Sequence, residues 1–347
     1  MKAEADAASS RSQIPTLRAV AELAGVSTST ASRVITGSPQ VTEESVARVT
    51  AAIATLGYVP NRAARSLVRR QPQTIAMMIP ERTAEFFADP YFAEVIQGAA
   101  AYASSTDYSL TLLVESESDP EKTHQVLSRG NVGGALILSH YSASEAYFRL
   151  SHTLPVVFGV RPPGGEGAEI HVVDVDNTAA AALATSHLIE RGATRIASIT
   201  APLGTTAGRE RRDGWRDTVV AAGLAPGPWG EGDYTPAGGA AAMRGILDRG
   251  EPFDAVFAAS ARMASGALGV LLAEGIRVPG DVRIAALDNN FFSTSTTPPL
   301  TTVDLHTEQK GAMMVQALIR LMEGEAVGTE VFVPITLIER ESTAAAR

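Results

Sequence analysis

Cysteine is absent from all 347 residues, which excludes disulfides and thiolate metal sites and fits a reducing compartment. No apolar run approaches the roughly 20 residues of a membrane span. The first fifteen residues, MKAEADAASSRSQIP, lack the apolar core of a signal peptide. Also missing are the short signatures of common enzymes: there is no G-x-S-x-G elbow, Walker loop or H-E-x-x-H pair, and no cluster of metal ligands. The six histidines, from His124 to His306, are scattered, and His187 falls mid-helix, where it reads as a core or surface residue. These absences predict a cytoplasmic protein that is not an enzyme, carries no cofactor or metal and makes no membrane contact.

Hydrophobic residues make up 45% of the chain, enough for two or three domains with sizeable cores. The net charge of −9 is unevenly placed. Residues 1–71 carry nine Lys/Arg against five Asp/Glu, or +4, which leaves −13 for the remainder. A small basic head on an acidic body is the electrostatic footprint of a DNA-binding protein.

The pattern of the head agrees. Leu17, Val20, Ala21 and Ala24 recur at helical spacing before Gly25 breaks the run. Ser27 is placed to cap a second helix, Thr28 to Ile35, which turns Ala31, Val34 and Ile35 inward and leaves a small, polar first turn. Two short helices around a glycine turn predict a helix-turn-helix, whose second helix enters the DNA major groove. A third helix starts at Thr42, with Glu43 and Glu44 suited to its positive end. It is expected to bury Val46, Val49, Ile53 and Leu56 and to stop at Gly57. Thr28, Ser29 and Arg33 share one exposed side of the second helix. Hydroxyls there can reach bases or phosphates, and arginine can fork onto guanine. A capped, solvated helix face is the plain alternative. After Pro60, the basic segment Arg62 to Val68 is too short to hold a helix in water without a partner surface.

From Gln73 onward apolar strands alternate with helices: TIAMMIP, YSLTLLVE, GALILS, PVVFGV, HVVDVD, RIASIT, DAVFAAS, VRIAALD and EVFVPITLIER are the strand segments. One of the helices between them is expected from about Pro120 to Arg129. That rhythm predicts parallel sheets covered on both faces, with ligands bound beyond the carboxyl ends of the strands.

Four stretches, AVAELAGVSTSTASRVI, LGYVPNRAARSL, RRDGW and PPLTTV, make the chain resemble the lactose- and galactose-repressor (LacI/GalR) family over about Leu17 to Arg340. The resemblance implies an all-α helix-turn-helix head and an α/β effector domain of the periplasmic-binding-protein type, with two doubly wound, parallel-sheet lobes. It divides the chain into a tail (1–14), a head (15–60), a hinge helix or linker (61–71) and an effector-binding and dimerisation domain (72–347). The N-lobe is expected over about 72–173 and 305–327, the C-lobe over about 174–303 and 328–342, with crossovers near Asp174, Asp304 and Gly328.

The function so implied is that of a ligand-responsive transcription regulator, most often a repressor. A homodimer would bind a near-palindromic double-stranded operator, and a small molecule, typically a carbohydrate, would act from the interlobe cleft. The family's base contacts fall on Thr28 and Ser29, with Thr30 and Arg33 beside them. Asn61, Arg62 and Arg65 become hinge contacts, and Leu67 the residue that wedges into the minor groove. Thr36 departs from the family's common asparagine.

For the effector, the resemblance points to Asp89, Tyr91 and Phe92 after the first strand, to Arg211 just before Gly214 and Trp215, to Tyr234 as an aromatic lid, and to Asp288 as a hydroxyl acceptor. Ser260 and Ala261 replace an Asn-Asp pair, Leu305 a glutamine and Val160 an aspartate, so the cleft is expected to be less polar than is usual for the family. Two rival classes are a periplasmic-type solute-binding protein and an α/β sugar-processing enzyme fused to a DNA-binding head. The missing signal segment and catalytic motifs count against them.

Overall fold

Side-chain caps fix the three helices of the head. Thr16 Oγ1 accepts from the Ala19 amide at 3.2 Å to start α1 (Leu17–Ala24), Ser27 Oγ from Thr30 at 3.1 Å to start α2 (Thr28–Ile35), and Thr42 Oγ1 from Ser45 at 3.3 Å to start α3 (Glu43–Leu56). Each cap satisfies an amide that a first helical turn leaves open. Gly25 ends α1 at φ +62, a left-handed conformation that glycine adopts without strain, and Arg48 Nη2 donates to its carbonyl at 2.9 Å. A Cβ there would lie 2.3 Å from that same nitrogen, so an added side chain would also push the Arg48 terminus off this carbonyl.

The head's core is Val20, Ala21, Ala24, Ala31, Val49 and Ala52, with Leu17, Val34, Ile35, Ile53 and Leu56 packed against it. Val46, expected inside, is 39% exposed. At 100° per residue it lies about 70° off the mean direction of Val49, Ala52, Ile53 and Leu56, and Ala52 fills the place assigned to it.

This computed structural model describes residues 15–35, 38, 40–58, 72–80, 83–114, 125, 127, 130–138, 149–161 and 170–344. The tail, Thr36, most of the helix expected over 120–129, and the hinge residues Asn61, Arg62, Arg65 and Leu67 lie outside the described residues. The chain divides at Gln73 into two compact units, the head and a larger body.

The body holds two six-stranded sheets. The first comprises β1 (Thr74–Ile79), β2 (Ser109–Val114), β3 (Gly134–Ile137), β4 (Val156–Phe158), β5 (His171–Val175) and β11 (Glu330–Val333). Its order is β11-β5-β4-β3-β1-β2, parallel throughout. The second comprises β6 (Ile196–Thr200), β7 (Trp229–Glu231), β8 (Ala255–Ala258), β9 (Arg283–Leu287), β10 (Thr301–Asp304) and β12 (Thr336–Ile338). Its order is β12-β10-β9-β8-β6-β7, with only β12 antiparallel. Alternate residues enter separate cores: Ile75, Met77 and Ile79 of β1 pack on one side, Ala76 and Met78 on the other.

The chain passes between the sheets after β5, after β10 and between β11 and β12. The last crossing corrects the expectation. EVFVPITLIER is not one strand, and the chain does not cross near Gly328: Glu330–Val333 pairs with β5 in the first sheet, and only Thr336–Ile338 joins β10 in the second. Pro334 has no amide to give to a ladder, so the strand breaks there.

Two helices of the first lobe approach unusually closely. They are α5 (Pro90–Ser104) and α11 (Thr307–Met322). A Cβ on Gly98 would lie 1.7 Å from the Glu308 carbonyl oxygen, and one on Gly311 2.0 Å from that of Val95. These glycines let the backbones touch and bring Lys310 of α11 beside Tyr91 of α5. Three short elements had no legible pattern: α4 (Thr83–Ala88), β7 and α10 (Phe291–Thr294). The remaining helices of the second lobe are α6 (Asn177–Glu190), α7 (Thr206–Ala221), α8 (Pro236–Asp248) and α9 (Ala261–Ala273).

Candidate functional site

On the head, Thr28, Ser29 and Arg33 are exposed on α2, while Thr30 is half-buried. Ser27 Oγ, already capping the helix, lies 2.8 Å from both Ser29 Oγ and Thr30 Oγ1. The first turn thus presents a linked row of hydroxyls, with an arginine one turn further along.

On the body, a cleft lies between the two lobes, with about 550 Å³ of space between its walls once the open solvent at its mouth is included. Its lining comes from the carboxyl ends of strands. Asp89 and Tyr91 follow β1, Val160 follows β4, and Asp174 and Asn177 stand at the end of β5. Arg211 follows β6, Tyr234 follows β7, Ser260 and Arg262 follow β8, Asp288 follows β9, and Leu305 and Lys310 follow β10. This is where an open α/β sheet leaves loops and helix N-termini free for a ligand.

Five of the six expected effector residues line this cavity. Phe92 does not: it is 1% exposed and packs in the core with its ring 5.6 Å from Phe86. Consecutive helical residues point about 100° apart, so with Tyr91 facing the cleft Phe92 must turn away.

The cavity also carries charge. Six charged side chains line it: Asp89, Asp174 and Asp288 against Arg211, Arg262 and Lys310. Lys310 Nζ donates to Asp174 Oδ1 at 2.7 Å and to Tyr91 Oη at 3.0 Å. Burial opposes the charge on Lys310, but Asp174 and then Tyr91 outweigh it and hold its pKa above the ordinary lysine value. Arg211, 8% exposed, donates from Nε to Asn177 Oδ1 and from Nη1 to the Ala259 carbonyl, both at 2.8 Å. Arg262 Nη1 donates to Asp89 Oδ2 at 2.8 Å, joining the two lobes. Asp89 Oδ1 meanwhile caps α5 through the Tyr91 amide.

Asp288 and Tyr234 adopt backbone angles that side chains avoid, φ +77 and +64. Each costs on the order of 1 kcal/mol, a strain that clusters at ligand sites. Burial pushes Asp288 up to about 6, against the pull of Arg211 and with the push of Asp89. Burial likewise raises the phenol of Tyr234, opposed by Arg211 and a hydrogen bond with the Thr205 hydroxyl.

Asp174, Asn177, Arg262 and Lys310 were not anticipated. A charge inside the apolar strand HVVDV was a signal for Asp174. Arg262 stands one position beyond the Ser260-Ala261 pair and brings a charge to a stretch where those residues carry none.

The chain's likeness to known proteins spans head and body. The sequence pattern of bacterial regulatory proteins of the lacI family matches residues 16–61, and that of a periplasmic binding protein-like domain matches residues 185–343. The HTH-type transcriptional regulator CelR of Thermobifida fusca is 40% identical over 322 residues, covering 91% of this chain and 94% of that one. The chain belongs to the LacI family of bacterial regulatory proteins.

LacI-family chains are DNA-binding transcription regulators, and this one shares their two-part build. The structure of the transcriptional regulator CelR–cellobiose complex aligns with a TM-score of 0.72 at 37% identity, over 94% of this chain and 99% of that one. The Lac repressor dimer bound to operator and the anti-inducer ONPF aligns with a TM-score of 0.84 at 25% identity, over 96% and 100%. Among the described residues, no helix is long and apolar enough to cross a membrane, and no group of three or more His, Cys, Asp or Glu could hold a metal ion.

Proposed function

We propose that this protein is a cytoplasmic repressor that binds a near-palindromic operator as a homodimer and is regulated by a neutral saccharide in the interlobe cleft. Thr28, Ser29, Thr30 and Arg33 read the half-site, with Asn61, Arg62, Arg65 and Leu67 as hinge contacts. Asp89, Tyr91, Arg211, Tyr234 and Asp288 hold the effector.

The observation that carries the reading is the balanced cleft. Its three carboxylates match three cations, and each cation already faces an oxygen of the protein. Such a surface offers many hydrogen bonds and no net charge, which suits hydroxyls better than a phosphate or a carboxylate. The CelR–cellobiose complex supports a short neutral saccharide of that kind.

The test starts with duplexes selected from a random pool by the full-length protein at fixed salt. The enriched operator is then titrated with protein in the presence of cellobiose, ribose or glucose 6-phosphate. A palindrome is expected, with a neutral sugar shifting operator affinity by about 5- to 150-fold, the usual range of allosteric coupling. No enrichment by folded protein, with or without sugars, would sink the operator reading. A response to the phosphorylated sugar alone would sink the neutral ligand.

A further inference from the structure

Asp288 shares its left-handed backbone with a residue at the hinge: His306, at φ +46. Asp288 ends β9 and lines the cavity, where its carboxyl accepts from the Ala261 amide. His306 lies on the crossing after β10, at the start of α11. A disfavoured backbone persists only where its surroundings over-determine it. Here one carboxylate, that of Asp304, reaches both places.

Asp304 Oδ2 accepts from Asn289 Nδ2 at 2.9 Å, and Oδ1 accepts from the His306 amide at 2.8 Å. Each oxygen therefore pins one of the two strained turns. The other end of the Asn289 amide, Oδ1, accepts from Arg340 Nη2. Arg340 is anchored in turn. Its Nη1 donates to the Leu300 carbonyl at 2.7 Å and to Thr302 Oγ1 at 3.1 Å, and its amide to Thr301 Oγ1 at 2.8 Å. Burial works against the Arg340 charge, and Asp304 partly offsets that. On the far side, His306 Nε2 lies 2.9 Å from Thr336 Oγ1, where β12 begins just past the crossing at Pro334. The chain of contacts thus runs from the turn behind Asp288 to two of the three crossings. Asn289, Asp304, His306, Thr336 and Arg340 are not among the residues that line the cavity. Rotation of the lobes must be absorbed by backbone angles at the crossings. A change at His306 moves its amide relative to Asp304, and Asp304 holds the Asn289 side chain.

We propose that Asp304, with Asn289 and Arg340, is the positioning group for Asp288: it holds the turn that aims Asp288 into the cleft, and through His306 and Thr336 it makes that turn answer to the angle between the lobes. This rests on the reading above that Asp288 holds the effector, and adds how the hinge controls it.

The test compares unfolding midpoints of Asp288→Gly and Asp288→Ala in three backgrounds of the full-length protein: wild type, Asn289→Ala and Thr336→Val. Both changes at 288 remove the carboxyl, and only glycine adopts φ +77 without strain. Glycine is expected to unfold about 2–4 °C above alanine in the wild-type background. Cutting the brace lets the turn relax, so the difference is expected to fall by half or more with Asn289→Ala and to fall with Thr336→Val. Asn289 and Thr336 are both exposed, so the fold is expected to hold. A merely structural role would lower both midpoints alike; an unchanged difference with Asn289→Ala overturns the proposal, as do equal midpoints in the wild-type background. An unchanged difference with Thr336→Val overturns the link to the hinge. Calorimetric titration with cellobiose separates the underlying reading: Asn289→Ala is expected to bind it about tenfold more weakly than wild type. Equal affinity overturns the positioning role. A wild type that binds no cellobiose counts against the saccharide, and the midpoints still decide the brace.

Discussion

Asp89 and Arg262 meet across the interlobe cleft, 2.8 Å apart and each about nine-tenths buried, although 173 positions separate them in the chain. One carboxylate does two jobs: Oδ1 starts α5 and Oδ2 holds the opposite lobe. Asp89→Asn keeps the cap but weakens the tie, so it is expected to lower the body's stability by about 1–3 kcal/mol. Asp89→Ala, which loses both roles, should cost more. Urea unfolding of the three proteins checks the order, and equal losses would mean that the tie to Arg262 alone matters and the cap adds nothing.

Lys310 and Asp174 form the most enclosed ion pair among the described residues, with side chains 3% and 10% exposed. Removing one partner strands the other charge in a low-dielectric site. Lys310→Met is expected to destabilise the body by about 3–5 kcal/mol, and adding Asp174→Leu should recover much of that. Denaturant midpoints of both variants decide it. A double variant no more stable than the single one would show that the pair is needed for more than charge balance.

Asp288 gives a pH dependence with a defined sign. Its folded pKa of about 6 stands above its ordinary 3.8. The stability it contributes is therefore fully present below pH 3.8 and lost as pH rises through about 6. Asp288→Asn is expected to raise the unfolding midpoint at pH 7.5, with the gain shrinking toward pH 4. Arg211, Asp89 and Arg262 face the same carboxyl. Glu94, pushed up to about 7 by burial and by Asp288, titrates beside it, so Glu94→Gln is the control. Thermal unfolding across pH 4 to 8 provides the comparison, and an unshifted midpoint at pH 7.5 would contradict the raised pKa.

Thr28 and Ser29 lie on the exposed first turn of α2. Exchanging either for another small polar residue is expected to change the preferred base at one position of each half-site by about 1–3 kcal/mol. Selection of bound duplexes by each variant is the readout. An unaltered motif would move base reading to Arg33 or to the hinge.

The head was largely legible because its information is local. Ser27 and Thr42 cap and Gly25 and Gly57 stop the helices within a few residues of the apolar stripe they serve. In the body, Arg211, Tyr234 and Asp288 were named through the family resemblance, and all three line the cavity. Lys310 and Arg262 were not. Each is one charge on an amphipathic helix, and its meaning lies in a partner 136 or 173 positions away. The same limit hid the break at Pro334: the segment reads as one apolar strand, and only pairing with β5 and β10 reveals two.

The crossings after β5, after β10 and at Pro334 tie the two sheets along one side only, so opening the body is a rotation and lever arms matter. In the first sheet β1, which delivers Asp89, stands three strands from β5, or about 15 Å. In the second, β8, which delivers Arg262, stands two strands from β10, or about 10 Å. In such a rotation Asp174 and Asn177, beside the spine, would travel least. A ligand bond at Asp89 or Arg262 acts through the full arm, so the same hydrogen bond exerts more torque there than at the back of the cleft.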